Sequence, residues 1–171
     1  MKMMHRPIVN CYWVAPGRLL AGEYPRNEDE ESSRPKINAL ILSGVTAFID
    51  LTEKNDGLPP YSHFLGMVSH QHFPIRDLSV PGSPDVTVAI LDAIDQHISG
   101  RRMVYLHCWG GVGRTGIIVG CWLARHGFKG EAALAKLHEL WKQCPLSAYR
   151  RSPETREQEQ YIVNWNERGL W

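Results

Sequence analysis

Residues Val104-Tyr105-Leu106-His107-Cys108-Trp109-Gly110-Gly111-Val112-Gly113-Arg114-Thr115-Gly116 constrain this chain more than any other stretch. A run of strand type leads into three glycines at 110, 111 and 113, and Ile117-Ile118-Val119 then opens an apolar helix. Strand, glycine-rich loop and helix N-terminus, in that order, bring backbone N–H groups and the positive end of a helix dipole to one point, the usual anion site of α/β sheets. The glycines let Trp109, Gly110, Gly111, Val112 and Gly113 turn their amides inward around a tetrahedral anion. Arg114 can add a two-pronged hydrogen bond to two of its oxygens. Cys108 opens the loop, and donors that hold an anion also favour a thiolate. The Thr115 hydroxyl can donate to that sulfur. One loop can therefore bind phosphate and present a nucleophile. The plain alternative, a glycine-rich turn beside an idle buried cysteine, requires all these features to coincide by accident.

The remaining composition sets the frame. A chain of 171 residues and 19.4 kDa, 43% hydrophobic and 22% charged, is expected to form one domain, with an N-terminal strand and loop region over 1–34 and a core over 35–168. Lys and Arg total 19 against 18 Asp and Glu, so bulk charge gives no reason to expect nucleic acid or a membrane surface as partner. A local anion site is untouched by that balance. Cys11, Cys108, Cys121 and Cys144 are too sparse for a disulfide scaffold, and no CxxC or CxxH pair suggests zinc, so no metal is expected. The longest apolar stretch, Ile117 to Ala124, is too short to span a bilayer. No signal-type segment follows Met1, and a cytoplasmic protein with reduced thiols is expected.

The coarse pattern alternates. Residues 12–20 read as a strand ending at the Pro16-Gly17 turn, 35–43 as a helix stopped by Gly44, 45–51 as a buried strand, 61–66 as a short helix and 69–75 as a strand. The acidic run 28–31 reads as a solvated loop, and 56–60 as a loop. Asp85 reads as the N-cap of a helix over 86–98; 103–107 is an apolar strand; 114–126 and 130–143 are helices; Ser152 at N-cap and Pro153 at N1 open a last helix. This order predicts an α/β fold, a central, mostly parallel twisted sheet with helices on both faces.

The run His107-Cys108-x5-Arg114-Thr115-Gly116 resembles the HCxxGxGRTG signature of the cysteine-dependent protein tyrosine phosphatase superfamily. Within it the chain is similar to compact dual-specificity phosphatases, the kinase-associated phosphatase type above all. That type has a similar aromatic-Gly-Gly-apolar-Gly-Arg loop and an upstream segment matching His72-Phe73-Pro74-Ile75-Arg76-Asp77, continuing to Pro84-Asp85. Rhodanese and arsenate-reductase loops also pair a cysteine with an anion, but the preceding His and the following Arg-Thr-Gly fit the phosphatase loop better.

The resemblance implies hydrolysis of phosphotyrosine, with phosphoserine or phosphothreonine of proteins as further substrates, through a cysteinyl-phosphate and without a cofactor. It places the general acid on a loop before the 86–98 helix. Asp77, 108 − 77 = 31 residues ahead of the nucleophile, fits that place, and Asp85 is its competitor. It gives His107 the task of fixing the loop through hydrogen bonds, and Gln158 that of positioning the hydrolytic water, with Glu154 where a related glutamine would stand. The expected partner is a phosphorylated protein or peptide, with phosphate or sulfate able to occupy 108–114. The rival is a non-protein phosphate: a phosphoinositide, an inositol phosphate or an RNA 5′ phosphate. Relatives acting on those often carry basic residues inside the loop, and 109–113 hold none. A catalytically dead phosphate-binding module is the third reading. Trp109 is either pocket rim or core; Arg150-Arg151 either steer an anion or are solvated; His70 and His72, two apart on a strand, read as partly exposed rather than metal-ligating.

Overall fold

The computed structural model describes residues 4–167; the outermost residues of the expected domain, 1–3 and 168–171, lie outside them. Five strands, β1 (Cys11–Ala15), β2 (Leu19–Gly22), β3 (Val45–Asp50), β4 (Ser69–His72) and β5 (Met103–His107), form one sheet in the order β1-β2-β5-β3-β4. β1 and β2 pair antiparallel; every other pair is parallel. The mostly parallel α/β architecture is as expected. β5 lies in the middle and is buried along its whole length, which is why it reads as a continuous apolar run.

The pleat divides the core in two. Val104, Leu106, Ala47 and Ile49 point to one face, where α2 (Pro84–Ser99), α3 (Arg114–Arg125), α4 (Glu131–Trp141) and α5 (Arg156–Asn164) cover them. Met103, Tyr105, Val45 and Phe48 point to the other, where α1 (Glu30–Leu42) supplies Ile37 and Leu40. Both faces are thereby closed, and the C-terminal ends of the parallel strands are left free to carry loops.

Several expected boundaries move. Residues 12–20 are a hairpin rather than one strand: Gly17 takes φ +72°, and the chain returns as β2, whose Leu19–Gly22 pairs with Val104–His107. The N-terminal region therefore belongs to the sheet, with β1 at its edge and β2 beside the central β5. The acidic run is not a loop. Asp29 caps α1 by accepting from Ser32 N–H (2.7 Å), and Glu30 and Glu31 sit in the first turn against the positive end of the dipole. Pro35 falls inside that helix, which its fully buried Ile37 and Leu40 hold on the sheet. Pro84, not Val86, begins α2, with Ser83 as N-cap, so Asp85 is a first-turn residue and not the cap. Thr155, not Ser152, caps α5: its hydroxyl accepts from Gln158 N–H while the Gln158 side chain accepts from Thr155 N–H, a reciprocal capping box. Ser152 is drawn elsewhere, its Oγ donating to the Val112 carbonyl (2.7 Å). The expected helix over 61–66 is a single 3-10 turn over Ser62–Phe64, and β4 stops at His72.

Candidate active site

The loop from Cys108 to Arg114 folds over the C-terminal end of β5 and runs straight into α3. Its backbone is held from outside. Tyr24 N–H donates to Trp109 O (2.8 Å), Ser152 Oγ to Val112 O, and Ile117 N–H to Gly113 O (3.0 Å). Gly111 takes φ +73°, and a Cβ there would lie 2.4 Å from the carbonyl carbon of Gly22, so the loop presses on β2 at a point where only glycine fits. Once the carbonyls are tied back, the amides remain. No described residue accepts a hydrogen bond from the N–H groups of 109–113, although 111–113 are buried. Unpaired buried N–H groups are rare in folded proteins, and a run of them around one loop suits an anion.

Arg114 is 2% exposed and completes that cradle. Its Nη1 donates to Asp56 Oδ2 (2.7 Å) and to Ile75 O (3.0 Å), Nη2 lies 3.4 Å from Asp77 Oδ1, and Nε has no partner. Burial opposes the guanidinium charge, but Cys108, Asp56 and Asp77 more than offset it and the net shift of its pKa is upward. Asp56 is the residue that sequence reasoning missed, having been taken as part of a loop. Its Oδ2 also accepts from Glu53 N–H (3.0 Å), so it is itself fixed and fixes the fork of Arg114 in turn. The available signal was an Asp-Gly turn following the C-terminal end of a parallel strand.

Of the two candidate acids, Asp77 is brought to Arg114, whereas Asp85 lies exposed in the first turn of α2. The Asp77 side chain is half exposed, and its Oδ1 accepts from Leu78 N–H (2.9 Å). Leu78 adopts φ +60°, a left-handed conformation costly for a branched side chain, and is exposed.

His107 is completely buried beneath the loop. Its Nδ1 bonds to Cys108 O (3.0 Å) and its Nε2 to the Tyr61 hydroxyl (2.6 Å). A carbonyl can only accept, so Nδ1 carries a proton. Burial lowers the His107 pKa, with Asp50 and the Cys108 carbonyl opposing, and in the neutral ring this favours, Nε2 accepts from Tyr61. Tyr61, a second residue not singled out from the sequence, thus orients the histidine from below.

One expected contact is missing. The Thr115 hydroxyl is buried and has no hydrogen-bond partner, so it does not donate to the Cys108 sulfur in this arrangement. Gln158 lies beside the loop, fully buried: Oε1 accepts from Glu154 N–H and Thr155 N–H, and Nε2 donates one N–H to Ser79 O. Trp109 is 53% exposed, which places it at the rim and not in the core. Arg150 pairs with Glu154 and Arg151 with Glu159, each at 3.1 Å, and Arg150 Nη1 would lie 3.4 Å from a Cβ on Gly110. Tyr161 serves packing, bonding to Thr87 on α2 (2.6 Å).

The other cysteines are free and buried: desolvation pushes the Cys11 thiol up to about 11 and raises those of Cys121 and Cys144. His70 faces Asp50 and His72 bonds to the Thr52 carbonyl; among the described residues no group of three His, Cys, Asp or Glu could hold a metal ion. No described helix is long and apolar enough to cross a membrane.

Known proteins share this fold and parts of this sequence. The crystal structure of Tk-PTP in its active form superposes with a TM-score of 0.74 at 22% identity, covering 93% of this chain and 97% of that one. Kinase associated phosphatase, with its catalytic cysteine changed to serine, superposes at 0.74 with 16% identity over 90% and 92%. Phosphatidylglycerophosphate phosphatase PTPMT2 of Arabidopsis thaliana is 32% identical over 110 residues, 63% of this chain and 45% of that protein. An uncharacterised protein of Methanocaldococcus jannaschii is 30% identical over 99 residues, 58% of this chain and 60% of the relative. The chain therefore spans only about half the length of the curated relatives it matches. Residues 9–164 match the family described as Swiss Army Knife protein, DSP-PTPase phosphatase domain, and the chain belongs to that family.

Proposed function

We propose that the protein hydrolyses phosphomonoesters through a cysteinyl-phosphate, with phosphotyrosine and phosphoserine or phosphothreonine of proteins as substrates. The observation that carries this reading is the coincidence, at one point, of unpaired loop amides, the free Nε of Arg114, the Cys108 thiol and the Asp77 carboxyl. In the first step the Cys108 thiolate attacks phosphorus in line and the P–O bond to the leaving group breaks. The leaving oxygen takes the Asp77 proton. Amides 109–113 and Arg114 hold the equatorial oxygens, where negative charge is spread in the transition state. In the second step water attacks phosphorus, gives its proton to the Asp77 carboxylate, and the S–P bond breaks to release phosphate and the thiolate.

A phosphorylated protein is favoured over a lipid or inositol phosphate because 109–113 carry no basic side chain, and because the exposed Trp109 and Leu78 offer apolar surface beside the loop for an aryl group. The likeness to PTPMT2 is what favours the second reading, a phospholipid headgroup. The deciding experiment compares kcat/KM for phosphotyrosine peptides, phosphoserine peptides and phosphatidylglycerophosphate, with Cys108→Ser as control. Phosphopeptides are expected to lead, and a lead by the lipid overturns the protein assignment. Cys108→Ser is expected to abolish turnover of p-nitrophenyl phosphate while still binding phosphate. An unchanged rate in that variant removes the mechanism, and a wild-type protein that binds phosphate but turns over no ester is a binding module.

A further inference from the structure

We propose that Gln158 is a positioning residue that latches the Asp77 loop onto the body of the protein, and is not a ligand of the hydrolytic water. The inference rests on the phosphatase reading above. Gln158 is fully buried, and its carboxamide touches three parts of the molecule. Oε1 accepts from Glu154 N–H (3.0 Å) and Thr155 N–H (3.1 Å), closing the start of α5. Nε2 reaches 79 residues back along the chain to donate to Ser79 O (3.0 Å). A Cβ on Gly113 would come within 3.1 Å of both amide atoms, so the same group lies against the anion loop.

Water that is to attack phosphorus must give its hydrogens to an acceptor and keep a lone pair for the bond it forms. Both acceptor positions of Oε1 are taken. The one N–H left on Nε2 belongs to a fully buried side chain, away from solvent, and cannot take the water's proton. Gln158 is therefore unsuited to the water and well suited to the loop. Ser79 stands two residues after Asp77 and closes the turn through Ser79 N–H to Arg76 O (3.1 Å). Upstream, Ile75 N–H is bonded to Leu51 O (3.0 Å). Between these anchors Asp77 and Leu78 are exposed, so the downstream end of the acid's segment hangs on the Gln158 amide.

Gln158→Glu tests this, because it keeps the acceptors of the capping box but sets a carboxylate oxygen against Ser79 O. Gln158→Met removes the donor whatever the protonation of a glutamate. Both variants are expected to lose about tenfold or more in kcat/KM for phenyl phosphate, whose leaving group needs the acid, and less than about twofold for 2,4-dinitrophenyl phosphate, whose leaving group does not. In an Asp77→Ala background either substitution should add nothing further, since the acid it positions is gone. Amide hydrogen exchange over 76–80 should quicken in both variants, a readout independent of turnover. Two results overturn the latch: equal losses on both esters with a lowered Tm, which leaves it only the helix cap, and unchanged exchange over 76–80. Failure of the phosphatase reading looks different, since wild type and Cys108→Ser would then be equally inert while the exchange measurement still decides the latch.

Discussion

The two loops that meet at Arg114 are built on opposite principles. The anion loop, 108–114, is held from below by Tyr61 and His107, from the side by Tyr24 and Ser152, and by contact of Gly111 with β2. Its cysteine is 3% exposed. The acid loop, 76–80, carries an exposed leucine in a strained conformation and hangs on a few backbone bonds and the Gln158 amide. The difference suits the chemistry proposed for each. Donors that stabilise transition-state charge work best when their orientation is fixed before substrate arrives, since nothing must then reorganise during the reaction. A proton donor must approach leaving groups of different shape and let products go, and segments that move are drawn from the weakly anchored parts of a fold.

Disturbing the rigid loop should have the larger effect. Gly111→Ala must abandon φ +73° and also clear backbone atoms of Gly22 and Glu23 that lie 2.4 to 2.7 Å from the new Cβ. Neither neighbour is a flexible side chain, so the loop itself has to shift. Dihedral strain alone costs on the order of 1–3 kcal/mol. A fall in Tm of roughly 5–10 °C is expected, with a loss in kcat/KM on the order of 100-fold as amides leave their places. Calorimetry and p-nitrophenyl phosphate kinetics check both; full activity in this variant would mean that the loop is not pre-formed, and the contrast between the two loops would fall.

Asp56 lies at their junction. Asp56→Asn keeps the size and an acceptor oxygen but takes the charge from the partner that orients Arg114 Nη1. A loss of about tenfold in kcat is expected. Orthovanadate should weaken more than phosphate, because a fork aimed at equatorial oxygens matters most where transition-state charge resides. Equal weakening of both ligands would give Asp56 only a structural part.

What could be read from the chain divides along the same line. The anion loop was legible because its requirements fall within ten consecutive residues, 107–116, and each residue type has one physical use there. Its supports were not. Asp56 and Tyr61 reach Arg114 and His107 across 58 and 46 residues from an irregular segment without periodicity, so nothing local marks them. Gln158 was found but not its capping box, which is visible only once Thr155 rather than Ser152 is taken as N-cap. The sheet's parallel core was plain in β3 and β5, whereas the start of α1 was lost because an acidic run looks the same on a solvated loop and at a helix N-terminus.

The smallest expected effect probes the looser loop. Leu78→Gly relieves a left-handed conformation that costs a non-glycine residue about 1–2 kcal/mol, while glycine's greater freedom in the unfolded chain returns about 0.5–1 kcal/mol of that. The side chain is exposed, so little packing is lost and Tm should move by no more than a few degrees. Function separates the explanations. If the strained leucine serves to keep Leu78 N–H on Asp77 Oδ1, glycine frees the turn, and kcat for phenyl phosphate falls a few-fold at constant KM. If Leu78 instead meets the substrate's ring, KM for aryl esters rises while kcat holds. A variant that is more stable and kinetically unchanged would show the leucine to be a tolerated turn residue, and strain in the acid loop would then have no part in how Asp77 is presented.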